Sequence, residues 1–304
     1  MGIELKGVDK GFGKKEVLKN VSLSIPDKII FGIIGISGSG KTTLLKLMVG
    51  FYKPDKGSVL VNNKNIGKAD IKELFGFATQ SNCFYPKLTV EENLKYFGSL
   101  YGLDSGTIKK NIDNILNLVE LKDSRDVVAD NLSGGMQRRL DLACALVNNP
   151  KILILDEPTE DLDPALRKQM LSLIKKINSL GTTIILTSHL LGEVEHVCDE
   201  VAIIHNKRIL EVGSVSKLRS IYGDKEEVHL RLASENYDKI IKNLDKKLIN
   251  NFVKDEKCLI IETGKARQVF NDVMELADKY KEKILSIDIQ KPNLEEIFEG
   301  LTKK

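Results

Sequence analysis

The sequence predicts an α/β domain followed by a small α+β domain. Two apolar runs, "IIFGIIGI" and "KILILD", are short and bounded by glycine or charge, which is typical of buried strands in a parallel sheet. Segments with apolar residues at helical spacing accompany them. Near residue 214 the composition changes, and the rest of the chain has the order β-α-β-β-α-β of a ferredoxin-like arrangement.

The first domain begins with strands and then alternates. Apolar residues alternate through 1–31, with turns at 11–13 and at Pro26, and "GSVLVN" at 57–62 predicts another strand. Between the two, "FGIIGISGSGKTTLLKLMVG" predicts a strand, a glycine-rich turn and a helix. The pattern up to this point is therefore β strands that lead into an α/β unit.

A helical segment interrupts the α/β pattern. Thr89 and Glu92 predict a capping box, and a second helix is expected from Ile108 to Val119. A third helix then precedes "KILILD", a fourth begins at Asp163-Pro164, and "TTIILTS" is the next strand. We place a nucleotide-binding domain at 1–213, with the helical insert at about 81–135, and an accessory domain at 214–304.

The accessory domain is expected to be a complete small fold without a catalytic cluster. Its predicted elements are strands at 226–232, 247–253, 256–262 and 283–290, helices at 235–245 and 265–280, and a short helix from Pro292.

Composition excludes several classes of protein. With 42% hydrophobic and 29% charged residues in a chain of 304, the protein is expected to be soluble and globular. The net charge of +3 gives no support for a nucleic-acid partner. The four cysteines lack metal-binding spacing and predict buried, reduced thiols. Neither a signal peptide nor an apolar run of about 18 residues is visible, so we expect a cytosolic chain; if the protein serves a membrane process, another chain must supply the membrane part.

The segment "GISGSGKT", Gly35 to Thr42, fits the pattern G-x-x-x-x-G-K-[ST]. Glycines let backbone N–H groups surround a polyphosphate, and the following helix N-terminus favours negative charge. Lys41 is expected to reach the β- and γ-phosphates, and Thr42 to ligate Mg²⁺. An ordinary glycine-rich turn is the alternative, which the flanking strand and helix disfavour.

"KILILDEP" supplies the second part of a phosphate site. Asp156, at the end of the strand, is expected to hold Mg²⁺, and Glu157 to polarise a water molecule for attack on the γ-phosphate. A solvated turn would also explain an isolated Asp-Glu pair. At this stage kinases, GTPases and motor ATPases all remain open.

"LSGGMQRR", residues 132–139, narrows these options. With the phosphate loop before it and "LILDEPTEDLDP" after it, the chain resembles the ATP-binding cassette (ABC) family. Residues 1–213 cover the whole nucleotide-binding domain of that family, with its motifs in order. The resemblance implies a P-loop NTPase fold with an N-terminal antiparallel β part and a helical insert. It also implies ATP and Mg²⁺ as ligands.

The resemblance assigns roles to further residues. Phe12 would stack on adenine, Gln80 would contact Mg²⁺ and the attacking water, and His189 would read the γ-phosphate. A core phenylalanine, an incidental glutamine and a surface histidine are the alternatives. Implied catalytic residues are Glu157, His189 and Gln80, and implied metal ligands are Thr42, Gln80 and Asp156. Implied nucleotide contacts are Phe12, Gly35, Ile36, Ser37, Gly38, Ser39, Gly40, Lys41, Thr42, Thr43, Ser133, Gly134, Gly135, Gln137 and Asp163.

One position departs from the family pattern. Relatives usually carry glycine before "LDP", where this chain has Asp161. The segment normally runs along the interface between two cassettes, so an added carboxylate could alter how they meet. Asp163 and Glu157 are retained, and hydrolysis is still expected.

The resemblance also implies partners. "SGGMQRRLDLACAL", "LTVEENLKYFGSLYGL" and "PNLEEIFEGLT" are similar to ATPase subunits of drug, sodium and polysaccharide exporters that use a separate membrane subunit. We therefore expect a head-to-tail dimer of two such chains, peripheral on the inner face of the cell membrane. The dimer would drive a membrane permease through the helical insert and the Gln80 loop. The alternatives are a soluble ATPase acting on ribosomes or DNA, and a non-hydrolysing half of a heterodimer.

Overall fold

A computed structural model describes residues 2–66, 72–222, 226–255 and 258–290, together with 294, 295, 297 and 298. The chain divides into two compact units, Met1–Ser214 and Val215–Lys304.

The first unit is an α/β structure with two sheets. Its strands are β1 (Gly2–Phe12), β2 (Lys15–Pro26), β3 (Ile30–Ile34), β4 (Lys56–Val61), β5 (Lys64–Asn65), β6 (Phe75–Ala78), β7 (Ile152–Asp156), β8 (Thr183–Ser188), β9 (Glu200–His205) and β10 (Arg208–Gly213). Its helices are α1 (Lys41–Met48), α2 (Val90–Leu100), α3 (Ser105–Leu118), α4 (Gly134–Leu146), α5 (Pro164–Ser179) and α6 (Leu191–Val197).

The N-terminal sheet is antiparallel, as predicted. Its strands lie in the order β2-β1-β4-β5, and Leu5 pairs with Leu23 on one side and Val59 on the other. These alternating apolar residues are buried and pack with α1 in one core. The hydrophobic alternation in the sequence thus fixes which face of this sheet is covered.

The second sheet has the order β10-β9-β3-β8-β7-β6. β6, β7, β8, β3 and β9 run parallel, and β10 is antiparallel at the edge. β3 and β7 are buried along their whole length, which explains their continuous apolar sequences. The carboxyl ends of the parallel strands meet at one edge, where ligands bind in sheets of this kind.

The helical insert contains α2 and α3. Its predicted capping box is confirmed: the Thr89 N–H donates to Glu92 Oε2 at 2.8 Å, and the Glu92 N–H donates to Thr89 Oγ1 at 3.2 Å. α3 begins after Asp104, whose side chain accepts from the Thr107 N–H. Both helices bury the apolar face that their spacing predicts.

The second unit contains α7 (Val215–Tyr222), β11 (Glu226–Leu232), α8 (Asp238–Asn243), β12 (Asn251–Asp255), β13 (Cys258–Thr263), α9 (Ala266–Tyr280) and β14 (Ile284–Gln290). The sheet order is β12-β13-β11-β14, with antiparallel neighbours throughout. β13 lies between β11 and β12, which gives the split βαβ arrangement expected from the sequence. Tyr237, Leu259 and Val273 are among the buried residues of its core.

Two boundaries in this unit differ from the prediction. The helix expected at 235–245 is limited to Asp238–Asn243, and the strand expected at 247–253 is Asn251–Asp255. Before the helix, the Asn236 side chain accepts the Asp238 N–H at 3.1 Å; after it, the Asp245 carboxylate accepts the Lys247 N–H at 3.0 Å and closes a turn that buries Leu248. Part of the short helix expected from Pro292 lies outside the described residues.

The thiols only partly follow the prediction. Cys144 and Cys258 are buried and Cys198 is partly buried, but Cys83 is exposed in the loop after β6. In the described part of the chain, none of the helices combines the length and the apolar character needed to cross a membrane.

Candidate functional site

The predicted site residues follow four neighbouring strands of the parallel sheet. The phosphate loop (residues 35–42) follows β3, Asp156 ends β7, His189 follows β8, and Gln80 follows β6. Pairing of Ile34 with Ser188 and of Asp156 with Thr187 aligns these strand ends. Residues far apart in sequence therefore meet at one edge because their strands are parallel and in register.

The phosphate loop has the geometry of an anion site. Gly40, the N-cap of α1, has a φ of 107° that side-chain-bearing residues rarely adopt. Ile36, Ser37 and Gly38 are exposed, whereas Ser39, Thr42 and Thr43 are half-buried. The helix thus presents its N-terminus at the loop, where backbone N–H groups and the helix dipole favour phosphate.

Lys41 joins the loop to the second half of the site. Its side chain is 8% exposed, and Nζ donates to the carbonyl oxygens of Gly35 at 2.8 Å and Ile36 at 3.4 Å. Nζ also lies 3.1 Å from Glu157 Oε1. The cation is therefore held where the loop and the end of β7 converge.

Glu157 lies at the centre of the polar contacts. Its Oε2 accepts from the His189 backbone N–H at 3.2 Å and lies 3.0 Å from His189 Nδ1. Since Lys41 contacts the other carboxylate oxygen, both oxygens have partners. The His189 side chain is 45% exposed, whereas the Glu157 side chain beside it is buried. Glu157 thus contacts both Lys41 and His189, which were predicted from separate motifs.

Thr187 is a site residue that sequence reasoning missed. Its buried hydroxyl donates to Asp156 Oδ1 at 2.6 Å and accepts from the Glu157 N–H at 2.9 Å. It therefore orients both acidic residues at the end of β7. The available signal was a threonine two residues before His189 at the end of an apolar strand.

The donor set fits a magnesium ion. Asp156 is buried with one carboxylate oxygen bonded to Thr187, and Thr42 and Gln80 add a hydroxyl and an amide oxygen. Hard oxygen ligands of this kind suit Mg²⁺, which keeps water and phosphate in its remaining positions. The Gln80 amide nitrogen donates to Glu160 Oε2 at 2.6 Å. Its metal-ligand role stays a prediction.

The N-terminus of α4 is capped by Ser133. Ser133 Oγ accepts from the Met136 N–H at 3.4 Å. Gly134 is exposed, and a Cβ added there would meet no atom within 4 Å. At Gly135 a Cβ would lie 3.0 Å from Leu166 of α5, which packs against it. The two glycines thus differ: packing within the chain requires only the second.

Gln137, also predicted to contact nucleotide, bonds to its own loop. Its amide nitrogen donates to the carbonyl oxygens of Ala129 and Leu132, each at 3.3 Å. Asp163 caps α5, with Oδ1 accepting from Ala165 at 2.9 Å and Leu166 at 3.0 Å. The structure gives both side chains local roles, and their nucleotide contacts stay predictions.

Asp161 has a backbone that glycine would adopt more easily. Its φ is 62°, in the left-handed region that asparagine, aspartate and glycine tolerate best. Asp161 therefore adds a carboxylate at this position, and its backbone has the left-handed conformation that suits glycine.

Phe12 is on the surface, 44% exposed, which disfavours the alternative of a core phenylalanine. Its ring meets Tyr52 edge-on with centroids 5.1 Å apart, and Lys10 Nζ lies 5.4 Å from its centroid. An exposed, laterally supported ring can accept a flat heterocycle on its free face.

Arg138 is the second functional candidate that sequence reasoning missed. It is 9% exposed and donates hydrogen bonds to backbone carbonyls from two segments. The acceptors are Thr79 and Gln80 before the insert, and Asp156, Glu157 and Pro158 after β7. Its partner on α4, Asp141, is also buried, and burial raises the pKa of that carboxyl to about 6. Two charged residues on the buried face of a helix were the available signal.

Comparison with known proteins finds relatives that are ATP-binding proteins. Residues 18–160 match the ABC transporter family. The linearmycin resistance ATP-binding protein LnrL of Bacillus subtilis is 33% identical over 304 residues, covering 99% of this chain and 98% of that protein. The methionine import ATP-binding protein MetN of Clostridioides difficile is 34% identical over 322 residues, covering 99% and 97%.

A solved structure agrees with these relatives. A dimeric ATP-binding cassette in a post-hydrolysis state, bound to ADP and Pi, matches with a TM-score of 0.63 and 28% identity. The match covers 70% of this chain and 98% of that one.

Proposed function

The chain belongs to the ABC transporter family, and from that premise we propose that it powers export through a separate membrane subunit. As an ATP-binding subunit of an ABC transporter it is an ATPase, and such subunits work with membrane permeases and dimerise. The alternative of a ribosome- or DNA-directed ATPase is not favoured, because the relatives reported above belong to transporters.

The observation that carries the chemical proposal is the set of contacts around Glu157. Its carboxylate is bounded by Lys41 on one oxygen and His189 on the other. A carboxylate held beside a phosphate loop can accept a hydrogen bond from water and orient it for in-line attack. Lys41 would move its ammonium from Glu157 to phosphate oxygens, which frees the glutamate for this task. His189 would contact the terminal phosphate with its ring.

Magnesium, when bound, would neutralise charge on the β- and γ-phosphate oxygens. We assign Asp156, Thr42 and the Gln80 amide oxygen to hold it. Thr187 fixes the Asp156 carboxylate. The Gln80 amide nitrogen donates to Glu160, so the direction of its oxygen depends on that contact and on the position of the Gln80 loop (residues 79–83).

We further propose that two chains close head to tail. Ser133 and Gly134 would then meet the ATP that the partner chain holds on its phosphate loop. The exposed backbone at Gly134 leaves that approach free. Phe12 would stack on the adenine from within the chain, and Asp163 would follow the interface at the start of α5.

The permease contact is assigned to the insert and the Gln80 loop. Tyr85 and Tyr96 are exposed there, their hydroxyls 3.1 Å apart and their rings edge-on. Aromatic side chains, tyrosine among them, are enriched in protein interfaces. Through this contact the chain would lie on the cytoplasmic face of the cell membrane.

Import is the second candidate for the direction of transport, because the methionine importer is matched over nearly its whole length. We prefer export on the motifs similar to exporter subunits and on the full-length match to a resistance protein. Cells that express the chain with its membrane subunit would be tested for linearmycin resistance and for methionine uptake. A gain of resistance supports export, whereas ATP-dependent methionine uptake contradicts it.

The chemical assignment is tested by Glu157→Gln. Replacing the carboxylate by an amide removes the base but keeps its shape, so ATP should still bind while turnover falls by at least about 100-fold. Glu160→Gln, which alters a more exposed carboxylate on the same segment, is the comparison for a change of charge. Hydrolysis by Glu157→Gln at the wild-type rate would overturn the assignment.

A further inference from the structure

Arg138 connects the helix that would serve the partner chain to the segments that would act in its own chain. Nη1 donates to the carbonyl oxygens of Thr79 at 3.0 Å and Gln80 at 3.1 Å. Nη2 donates to the backbone carbonyl oxygen of Glu157 at 2.7 Å, and Nε donates to that of Pro158 at 3.1 Å. A planar guanidinium can hold two segments in a fixed mutual geometry, which a lysine ammonium cannot.

The contact with Glu157 falls on a strained residue. Glu157 has a φ of 50°, an uncommon value for a residue with a side chain. Its N–H donates to Thr187 at 2.9 Å and its carbonyl accepts from Arg138 at 2.7 Å. Hydrogen bonds to its N–H and its carbonyl thus hold the Glu157 backbone in the conformation in which the Glu157 carboxylate contacts Lys41 and His189.

Asp141, one turn along α4, holds the other end of the Gln80 loop. Its Oδ1 accepts from the Cys83 N–H at 2.6 Å. Its Oδ2 lies 3.6 Å from Arg138 Nη1, within ion-pair distance but too far for a hydrogen bond. Arg138 and Asp141 therefore hydrogen-bond the backbone of the Gln80 loop at residues 79, 80 and 83. We expect α4 and this loop to move together.

We propose that Arg138 is a positioning residue for hydrolysis: it fixes the Glu157 backbone and the Gln80 loop in its own chain. The inference rests on the proposed role of Glu157. The described hydrogen bonds of Arg138 go to backbone carbonyl groups, so it would act through the backbone of Gln80 and Glu157. Through α4 it also links the site in its own chain to the site that Ser133 and Gly134 would complete in the partner.

Single variants of the full-length chain give the first test. Arg138→Met removes the donors while keeping an unbranched side chain, and should lower kcat by about 10- to 100-fold, because small misplacement of catalytic groups has effects of this size. The Kd for ATP should stay within about twofold, since the phosphate loop is unchanged. Arg138→Lys keeps the charge without the planar fork and should fall between wild type and Arg138→Met.

The adjacent arginine is the matched control. Arg139 lies on the same helix but donates to the Val119 carbonyl at 2.9 Å and to Gln169 at 3.0 Å, and contacts neither Glu157 nor the Gln80 loop in the hydrogen bonds described. Arg139→Met also removes a hydrogen-bonded guanidinium from α4, but it should leave kcat within about twofold of wild type. An equal loss of kcat in both variants would mean a general structural role and would overturn the proposal.

Mixed dimers locate the effect. In the first mixture, limiting Arg138→Met chain meets about a tenfold excess of Glu157→Gln chain, so turnover comes only from the intact Glu157 beside the altered Arg138. In the second, limiting wild-type chain meets the same excess of a Glu157→Gln/Arg138→Met chain, which alters only the helix presented by the partner. The proposal predicts a loss of at least about 10-fold in the first mixture and less than about twofold in the second.

Each outcome decides between the two levels of the account. If Glu157→Gln alone hydrolyses ATP at the wild-type rate, the proposed function fails and this inference fails with it. If that variant is inactive and the first mixture keeps full turnover, only the role of Arg138 is overturned. Loss confined to the second mixture would also overturn it, because Arg138 would then act on the partner's site instead of its own.

Discussion

Helices α1 and α4 both have a glycine at the N-terminal end, Gly40 as the N-cap of α1 and Gly134 as the first residue of α4, but the surrounding chain constrains the two ends differently. At α1, Gly40 has a φ of 107°, and a Cβ there would lie 2.9 Å from Leu18. At α4, Gly134 lies outside the left-handed region and faces no atom within 4 Å. The first glycine is required by its own fold. The second has no such requirement, which is why we attribute it to a partner molecule.

The largest expected effect is on the affinity for ATP, which should depend on the phosphate loop at the start of α1. Lys41→Ala removes the buried ammonium of the phosphate loop and should weaken ATP binding by about 10- to 100-fold, the effect of losing charge-assisted hydrogen bonds. Titration calorimetry with Mg·ATP measures this. Lys53→Ala, at an exposed lysine after α1, is the control and should bind as wild type does. Equal affinity in both variants would contradict the assignment of the loop.

A smaller effect concerns the buried pair on α4. Burial raises the pKa of Asp141 to about 6 from its usual 3.8, so ionisation of this carboxyl favours the unfolded chain. The resulting loss in the free energy of unfolding is absent below pH 3.8. It grows as the pH rises from 3.8 to about 6 and is constant above that.

Asp141→Asn removes that ionisation. Relative to wild type, the free energy of unfolding of the variant should therefore be higher at about pH 7.5 than at about pH 5, by about 1 kcal/mol. Urea denaturation at the two pH values measures the difference. A difference of opposite sign would mean that attraction to Arg138 outweighs desolvation.

The two glycines of α4 can be compared directly. Gly135→Ala places a methyl group 3.0 Å from Leu166, whereas Gly134→Ala meets open space. We expect Gly135→Ala to unfold with a free energy about 1 kcal/mol below that of Gly134→Ala, because the packed neighbour must shift. Thermal or urea unfolding of the pair suffices, and equal stabilities would remove the distinction.

The smallest effect is expected at Asp161. Its left-handed backbone suits glycine, but glycine also loses more freedom on folding, so the two contributions oppose each other. Asp161→Gly should change the free energy of unfolding by less than about 1 kcal/mol and leave turnover within about twofold. A large fall in turnover would show that the carboxylate itself is used.

The sequence was sufficient for the site because its residues belong to local patterns. The phosphate loop, Asp156 and His189 each follow an apolar strand, and parallel pairing brings strand ends together. Arg138 and Thr187 were missed because their partners are backbone groups and side chains far along the chain, which no spacing reveals. The same limit applies to the turn at Asp245, where one side-chain hydrogen bond overrode helical and strand patterns.

The central claim is that Gly134 serves a nucleotide held by a second copy of the chain. Light scattering on the Glu157→Gln chain with Mg·ATP should give the mass of a dimer, and without ATP that of a monomer. Adding Gly134→Asp, which puts a carboxylate where phosphate would approach, should abolish the dimer while ATP affinity stays within about twofold. An ATP-dependent dimer that survives in the Glu157→Gln/Gly134→Asp chain would contradict the account.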